Sequence, residues 1–185
     1  KKVALVVNQT SRVNNQHLVD FLQQKGVDIR FIFAPEHGFR GDHDAGEKVS
    51  NSIDSKTGIP LVSIYGKSKK PSSEIMAELD LIIFDIQDVG VRFYTYISSM
   101  HYMMEVAADA GVEFIVLDRP NPNGSFVDGP ILETEFRSFV GMHPIPLLHG
   151  MTVGELSLMI NGEGWLKSEN ELALKDVKVQ NYQRD

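Results

Sequence analysis

At 185 residues, 42% of them hydrophobic and 23% charged, the chain is long enough for one domain with a substantial core. Its formal net charge is −7 and its densest basic cluster is only GKSKKP (66–71), which argues against a nucleic-acid partner. With no cysteine, disulfides, thiolate nucleophiles and cysteine-ligated metals are excluded, and no apolar stretch is long enough to span a bilayer.

The first predicted strand is VALVV (3–7), followed by the polar Asn8, Gln9 and Thr10. A helix is expected over 14–26, with Leu18, Phe21 and Leu22 on one face, Asn14 or Asn15 as N-cap and Gly26 as its stop. IRFIF (29–33) reads as the second strand and runs into a long irregular stretch, 34–60, that begins with PEHGFRG (35–41). LVSI (61–64) is the third strand, and PSSEIMAEL (71–79) opens a helix on Pro and Ser. LIIF (81–84) ends abruptly in Asp85, after which a long helix is predicted over 92–111, closed by Gly111. FIVL (114–117) precedes a second irregular stretch, 118–150. The last predicted helix, 152–164, has Thr152 three residues before Glu155, the spacing of a capping box.

Most of these strands are near-continuous apolar runs, the signature of strands covered on both faces. Alternation with helices implies an α/β fold: a Rossmann-like parallel sheet with helices on both faces and right-handed crossovers. There is no glycine-rich dinucleotide fingerprint and no phosphate-binding P-loop, so no nucleotide cofactor is expected. Ligands of open α/β sheets bind outside the carboxyl ends of the strands. The polar residues that follow the strands therefore share one rim: Asn8, Glu36, His37, Tyr65, Asp85, Asp88, Asp118 and Arg119.

Three stretches on that rim carry chemistry. In PEHGFRG, Glu36 is either a proton-transfer carboxyl or part of a salt-bridged loop. His37, His43 and Asp44 match no specific zinc spacing, and no metal is expected. In DIQDVGVRFYTY (85–96), Asp85 or Asp88 can cap the following helix and Arg92 can pair with either, while Tyr94 and Tyr96 offer an apolar face with a hydroxyl, which suits a sugar ring. In LDRPNPNG (117–124), two prolines and a glycine hold Asp118, Arg119 and Asn121 rigidly. Arg119 suits bidentate recognition of a carboxylate, or a plain internal pair with Asp118. His143 and His149 flank PIPLL as loop histidines.

The segments FAPEHGFRG, TGIPLVSIYG, DLIIFDIQDVGVRFYTYISSM, VLDRPNPNG, GPIL, SFVG, PIPLLHGMTVGEL and NGEGWL follow one another along the chain. In that order they closely resemble the bacterial exo-β-N-acetylmuramidases, the NamZ-type glycosidases. The resemblance implies a Rossmann-like amino-terminal catalytic domain over 1–185, with a smaller carboxy-terminal domain of the full-length protein as its partner outside this chain. It implies release of terminal β-N-acetylmuramic acid from the non-reducing end of peptidoglycan fragments without a cofactor, and a periplasmic or extracellular location. One departure is Asn123, where the family often has a bulky apolar residue.

Glycoside hydrolysis needs an acid for the leaving oxygen and a second group at the anomeric carbon. Glu36 is the candidate acid, and Asp85 or Asp88 the second carboxylate. The substrate's own 2-acetamido group is the alternative. Arg92 or Arg119 would read the lactyl carboxylate, and Tyr94 or Tyr96 would pack on the ring. Asn8, His37, Asp118, Asn121 and His149 complete the candidate binding residues. The competing reading is a sugar- or muropeptide-binding module without turnover. A nucleotide-binding α/β domain is disfavoured by the missing glycine-rich loop.

Overall fold

The structure, a computed structural model, describes residues 1–40 and 51–184. The elements in chain order are β1 (Lys2–Val7), β2 (Arg12–Val13), β3 (Gln16–His17), α1 (Leu18–Gln24), β4 (Asp28–Ala34), β5 (Ser52–Ile53), β6 (Pro60–Ser63), α2 (Ser73–Met76), β7 (Leu81–Asp85), α3 (Tyr96–Ala110), β8 (Glu113–Leu117), β9 (Val127–Asp128), β10 (Leu148–His149), α4 (Val153–Gly162) and β11 (Leu174–Val177). One sheet in the order β11-β8-β7-β1-β4-β6-β5 forms the centre. Every pairing in it is parallel except that of the edge strand β5 with β6. The expected Rossmann-like α/β sheet is therefore the fold.

Alternation along β1 builds two cores. Ala4 and Val6 join Phe33, Ile82, Phe84, Phe114 and the buried residues of α2, α3 and α4 on one face. Val3, Leu5 and Val7 join Ile32, Ala34 and, from α1, Leu18 and Val19 on the other. The chain starts at the centre of the sheet, builds outward through β4 and β6, then returns to the far side of β1 for β7, β8 and β11. That reversal is the topological switch point, where the loops after β1 and β7 diverge and leave a crevice.

Several local expectations need correction. Helix α1 begins four residues after Asn14, because 12–17 first folds into a small antiparallel hairpin whose tip holds Asn14 at φ 53°. His17 is its cap: Nδ1 accepts from the Val19 amide at 3.2 Å, and Nε2 meets the Asn8 carbonyl at 2.9 Å. With Nδ1 accepting, Nε2 carries the hydrogen and the ring is neutral. Helix α3 starts at Tyr96, not Arg92, and Thr95 caps it without a side-chain hydrogen bond, so neither Asp85 nor Asp88 is its cap. The strand β11 was not anticipated. It is a sheet edge, half exposed and interrupted by Lys175 and Asp176, so it lacks the apolar run of a covered strand. The capping box at Thr152 and Glu155 forms as expected.

Candidate active site

The parallel strands deliver Glu36, Asp85 and Asp118 to the same edge of the sheet, two, zero and one residue past β4, β7 and β8. A cavity of about 200 Å³ opens there, walled by Glu36, His37, Phe93, Tyr94, Thr95 and Tyr96. Glu36 is half-buried, and both its oxygens are engaged. The Tyr65 hydroxyl donates to Oε1 at 2.8 Å and the Thr95 hydroxyl to Oε2 at 3.1 Å. The Tyr65 hydroxyl is shifted upward by that bond and by burial, which keeps it a donor. His37 holds φ 69°, a left-handed conformation uncommon outside glycine and concentrated at functional sites.

The loop that carries Glu36 is anchored from behind. Arg40 binds Asp54 through two nitrogens, at 3.1 and 3.0 Å, and Asp20 at 3.1 Å. The salt-bridged-loop reading of PEHGFRG thus describes Arg40, while Glu36 faces the cavity. His43 and Asp44, weighed with His37 as metal ligands and not favoured, lie outside the described residues. Among the described residues no three His, Asp or Glu side chains gather as a metal site.

Tyr94 and Tyr96 meet edge to face, with ring centroids 5.1 Å apart. Burial pushes the Tyr96 hydroxyl up to about 12, the neighbouring Tyr94 adding to it, against the opposing pull of the nearby Asn8 and Gln9 side chains. Asn8 is fully buried behind it, accepting from the amide and hydroxyl of Thr10 at 2.9 and 2.6 Å. Its Nδ2 has no partner among the described residues.

The remaining candidates sit around this cavity without lining it. Asp85 is buried and clamped by Arg119, with Nε 2.6 Å from Oδ1 and Nη2 3.0 Å from Oδ2. The alternative Asp118–Arg119 side-chain pair does not form. Asp118 instead accepts from the Thr152 hydroxyl at 2.7 Å, the Gly154 amide at 2.7 Å and the Arg119 amide at 2.9 Å, locking the start of α4 to the end of β8. Arg92 pairs with neither Asp85 nor Asp88. Its Nη1 donates to the carbonyls of Pro130 and Ile145, both at 2.6 Å, tying the 118–150 excursion to the rim.

Asp88 accepts from the Gly90 amide at 2.8 Å, and its other oxygen is buried without a partner among the described residues. Burial pushes its carboxyl up to about 6, against the pull of the Gly90 and Val89 amides. Gly90, at φ +76°, lies so close to Asn121 that a Cβ there would overlap its side-chain oxygen. Asn121 in turn donates to the Met151 carbonyl at 2.8 Å. Asn123, the departure from the family pattern, donates to the Val89 carbonyl at 2.7 Å and braces the same loop. His149 is buried, its Nδ1 accepting from the Met151 amide at 3.3 Å, and burial holds it down to about 4. It is therefore neutral at physiological pH.

Sequence reasoning thus named Glu36, His37, Tyr94 and Tyr96 on the cavity wall. It placed Tyr65 on the rim without giving it a role, and it passed over Phe93 and Thr95. Tyr65 follows a strand, the signal that marked the others. Thr95 carries no comparable signal, because its approach to Glu36 depends on the fold of 86–95.

The sequence model of the family described as "Exo-beta-N-acetylmuramidase NamZ, N-terminal" matches residues 3–185. The peptidoglycan beta-N-acetylmuramidase NamZ of Bacillus subtilis is 46% identical over all of this chain, which spans 44% of that protein. Two crystal structures of DUF1343 family proteins from Bacteroides fragilis are also similar. One has a TM-score of 0.88 at 47% identity, covering 98% of this chain and 48% of the other. The second has a TM-score of 0.90 at 42% identity, covering 100% and 46%. The chain spans less than half the length of each of these relatives. It belongs, as an amino-terminal domain, to the NamZ exo-β-N-acetylmuramidase family.

Proposed function

We propose that this domain houses the proton-transfer site of a glycosidase that releases terminal β-N-acetylmuramic acid from the non-reducing end of peptidoglycan fragments. The observation that carries the reading is Glu36: a half-buried carboxyl, oriented on both oxygens by hydroxyls, in an aromatic-walled cavity at the carboxyl edge of the sheet. The name of the Bacillus subtilis relative supports the substrate class. A cell-wall substrate would put the working protein in the periplasm or outside the cell.

In this mechanism the working form of Glu36 is protonated, with the Thr95 hydroxyl turned to accept from it. Glu36 gives that proton to the glycosidic oxygen as the bond to the anomeric carbon breaks, and later takes one from the attacking water. Asp85 is held by Arg119, and neither it nor Asp88 lines the cavity. Among the described lining residues Glu36 is the sole carboxylate. This favours the substrate's 2-acetamido oxygen as the group that attacks the anomeric carbon, with Tyr94 and Tyr96 packing on the sugar. Recognition of the lactyl carboxylate falls to Arg119, whose side chain is 25% exposed and whose Nη1 lies outside the Asp85 clamp, or to His37 on the wall.

The test is Glu36→Gln in the full-length protein, assayed on a chromogenic muramic acid glycoside. Turnover should fall roughly 10²–10⁴-fold while N-acetylmuramic acid still binds. Near-normal turnover in the variant would reject Glu36. Binding without turnover in the wild type would favour the module that only binds sugar.

A further inference from the structure

A second cavity, of about 330 Å³, opens between α3 and the 118–150 excursion, lined among others by Tyr102, Glu105, Arg137, Phe139, Met142 and Lys167. It is joined to the Glu36 site by aromatic rings. Tyr65, whose hydroxyl holds Glu36, lies 6.4 Å from Phe139 between centroids. Phe139 is stacked on Tyr102 at 5.9 Å with the planes 6° apart. Both Phe139 and Tyr102 are half-buried, so each keeps surface open to solvent.

Positive charge follows the same line. The Lys69 ammonium lies 5.0 Å from the centre of the Phe139 ring, and that of Lys70 lies 5.1 Å from Tyr102. Lys70 is neutralised by Glu105. Lys69, Arg137 and Lys167 have no carboxylate in ion-pair range among the described residues. In a chain of net charge −7, three cations without a carboxylate partner among the described residues, gathered around one aromatic cavity, are an anion-attracting feature that its overall charge does not supply.

The floor of this cavity is rigidly built. Glu105, 1% exposed, accepts from Lys70, from the Lys167 amide at 3.0 Å and from His101 Nε2 at 3.0 Å. His101 Nδ1 meets His143 Nε2 at 3.0 Å. Burial works against the Glu105 charge, but the bonds from His101, Lys70 and Lys167 outweigh it and bring the group down to about 2. One buried carboxylate thus ties together four chain segments, including the loop that presents Arg137 and Phe139. None of these residues takes part in the chemistry assigned to Glu36.

We infer that this groove binds the leaving-group side of the substrate, an anionic oligosaccharide whose ring faces lie on Phe139 and Tyr102 and whose carboxylate meets Arg137 and Lys167. Aromatic faces suit the apolar faces of sugar rings, and guanidinium suits carboxylate. The inference rests on the glycosidase reading above, because it takes the Glu36 cavity as the seat of the terminal sugar.

The experiment compares two substrates of the full-length protein that share a terminal muramic acid: an aryl glycoside and a peptidoglycan-derived tetrasaccharide. Arg137→Ala and Phe139→Ala should each lower the ratio of kcat/KM, tetrasaccharide over aryl glycoside, by roughly tenfold. Lys167→Gln should lower it severalfold, and Arg137→Lys should recover part of the loss. An unchanged ratio in Arg137→Ala and Phe139→Ala, both folded by thermal unfolding, overturns the groove. If the wild type hydrolyses neither substrate, the glycosidase reading fails by itself, and calorimetric titration with the same tetrasaccharide decides the groove. Weaker binding by Arg137→Ala than by wild type then upholds it, whereas equal binding, or none by either, overturns it.

Discussion

Asp88 shows how one side chain's surroundings set its chemistry. Its second oxygen is buried without a partner among the described residues, and burial pushes the carboxyl up to about 6 from 3.8. The folded chain therefore holds this proton over a range in which the unfolded chain releases it. Stability from this group is full below about pH 4, falls as the pH rises toward 6, and stays low above that, a change on the order of 2–3 kcal/mol. Asp88→Asn should escape that loss. Measured by denaturant unfolding, the free energy of the variant minus that of the wild type should grow by about 2–3 kcal/mol between pH 4 and pH 7. A difference that does not vary with pH would show that Asp88 ionises normally in the fold. His149, held down to about 4 by burial, acts in the opposite sense: its contribution is lost as the pH falls from 6.5 toward 4. It is common to both proteins, so it cancels in the difference.

At the scale of elements, the start of α4 does two jobs. Thr152 caps the helix by accepting from the Glu155 amide at 3.2 Å, and its hydroxyl donates to Asp118 at 2.7 Å. The Glu155 side chain closes the box by accepting from the Thr152 amide at 2.9 Å. Because Asp118 directly follows β8 and anchors the turn that presents Arg119, the cap reaches the edge of the site. Thr152→Ala should cost about 2 kcal/mol, roughly 1 for the cap and the remainder for the donor that Asp118 loses. Thr152→Ser should restore most of it. Thermal unfolding of both variants checks this, and equal midpoints for wild type and Thr152→Ala would count against the double role. The segment 86–95 makes a related point. It lies outside the helix because it turns back through Gly90, against Asn121, before α3 begins. That detour brings Thr95 to Glu36 and leaves Tyr94 and Tyr96 on the cavity wall.

For the molecule as a whole, the two cores share the central strands of one sheet. β1 gives Ala4 and Val6 to one face of the sheet, and Val3, Leu5 and Val7 to the other. Damage on one face should therefore be felt on both. Leu5→Ala, at a fully buried site among the α1-side residues, should destabilise the protein by about 2–5 kcal/mol. The chain has one tryptophan, Trp165, which packs against the opposite core. Its fluorescence and the far-ultraviolet circular dichroism should shift to the same lower midpoint in the variant. Separate transitions would mean that the faces unfold independently.

Much of this architecture is written locally. The runs 3–7, 29–33, 61–64, 81–84 and 114–117 became β1, β4, β6, β7 and β8, because a strand covered on both faces must be apolar at nearly every position. The capping box before α4 and the stop at Gly111 were equally legible, because each depends on residues within one helical turn. From strands alone, the rim that carries Glu36 and its neighbours also followed. Partnership across the rim did not. Asp85 chose Arg119, 34 residues away, over Arg92, seven away, because β7 and β8 are neighbours in the sheet and deliver both groups to one edge. Arg92 was drawn instead to two carbonyls of a distant loop, and Tyr65 and Thr95 converged on Glu36 from separate segments. Sequence determines periodicity and caps through forces that act over a few residues. Which charge meets which is decided by strand order and by loop paths, and those follow from burying both faces of the whole sheet at once.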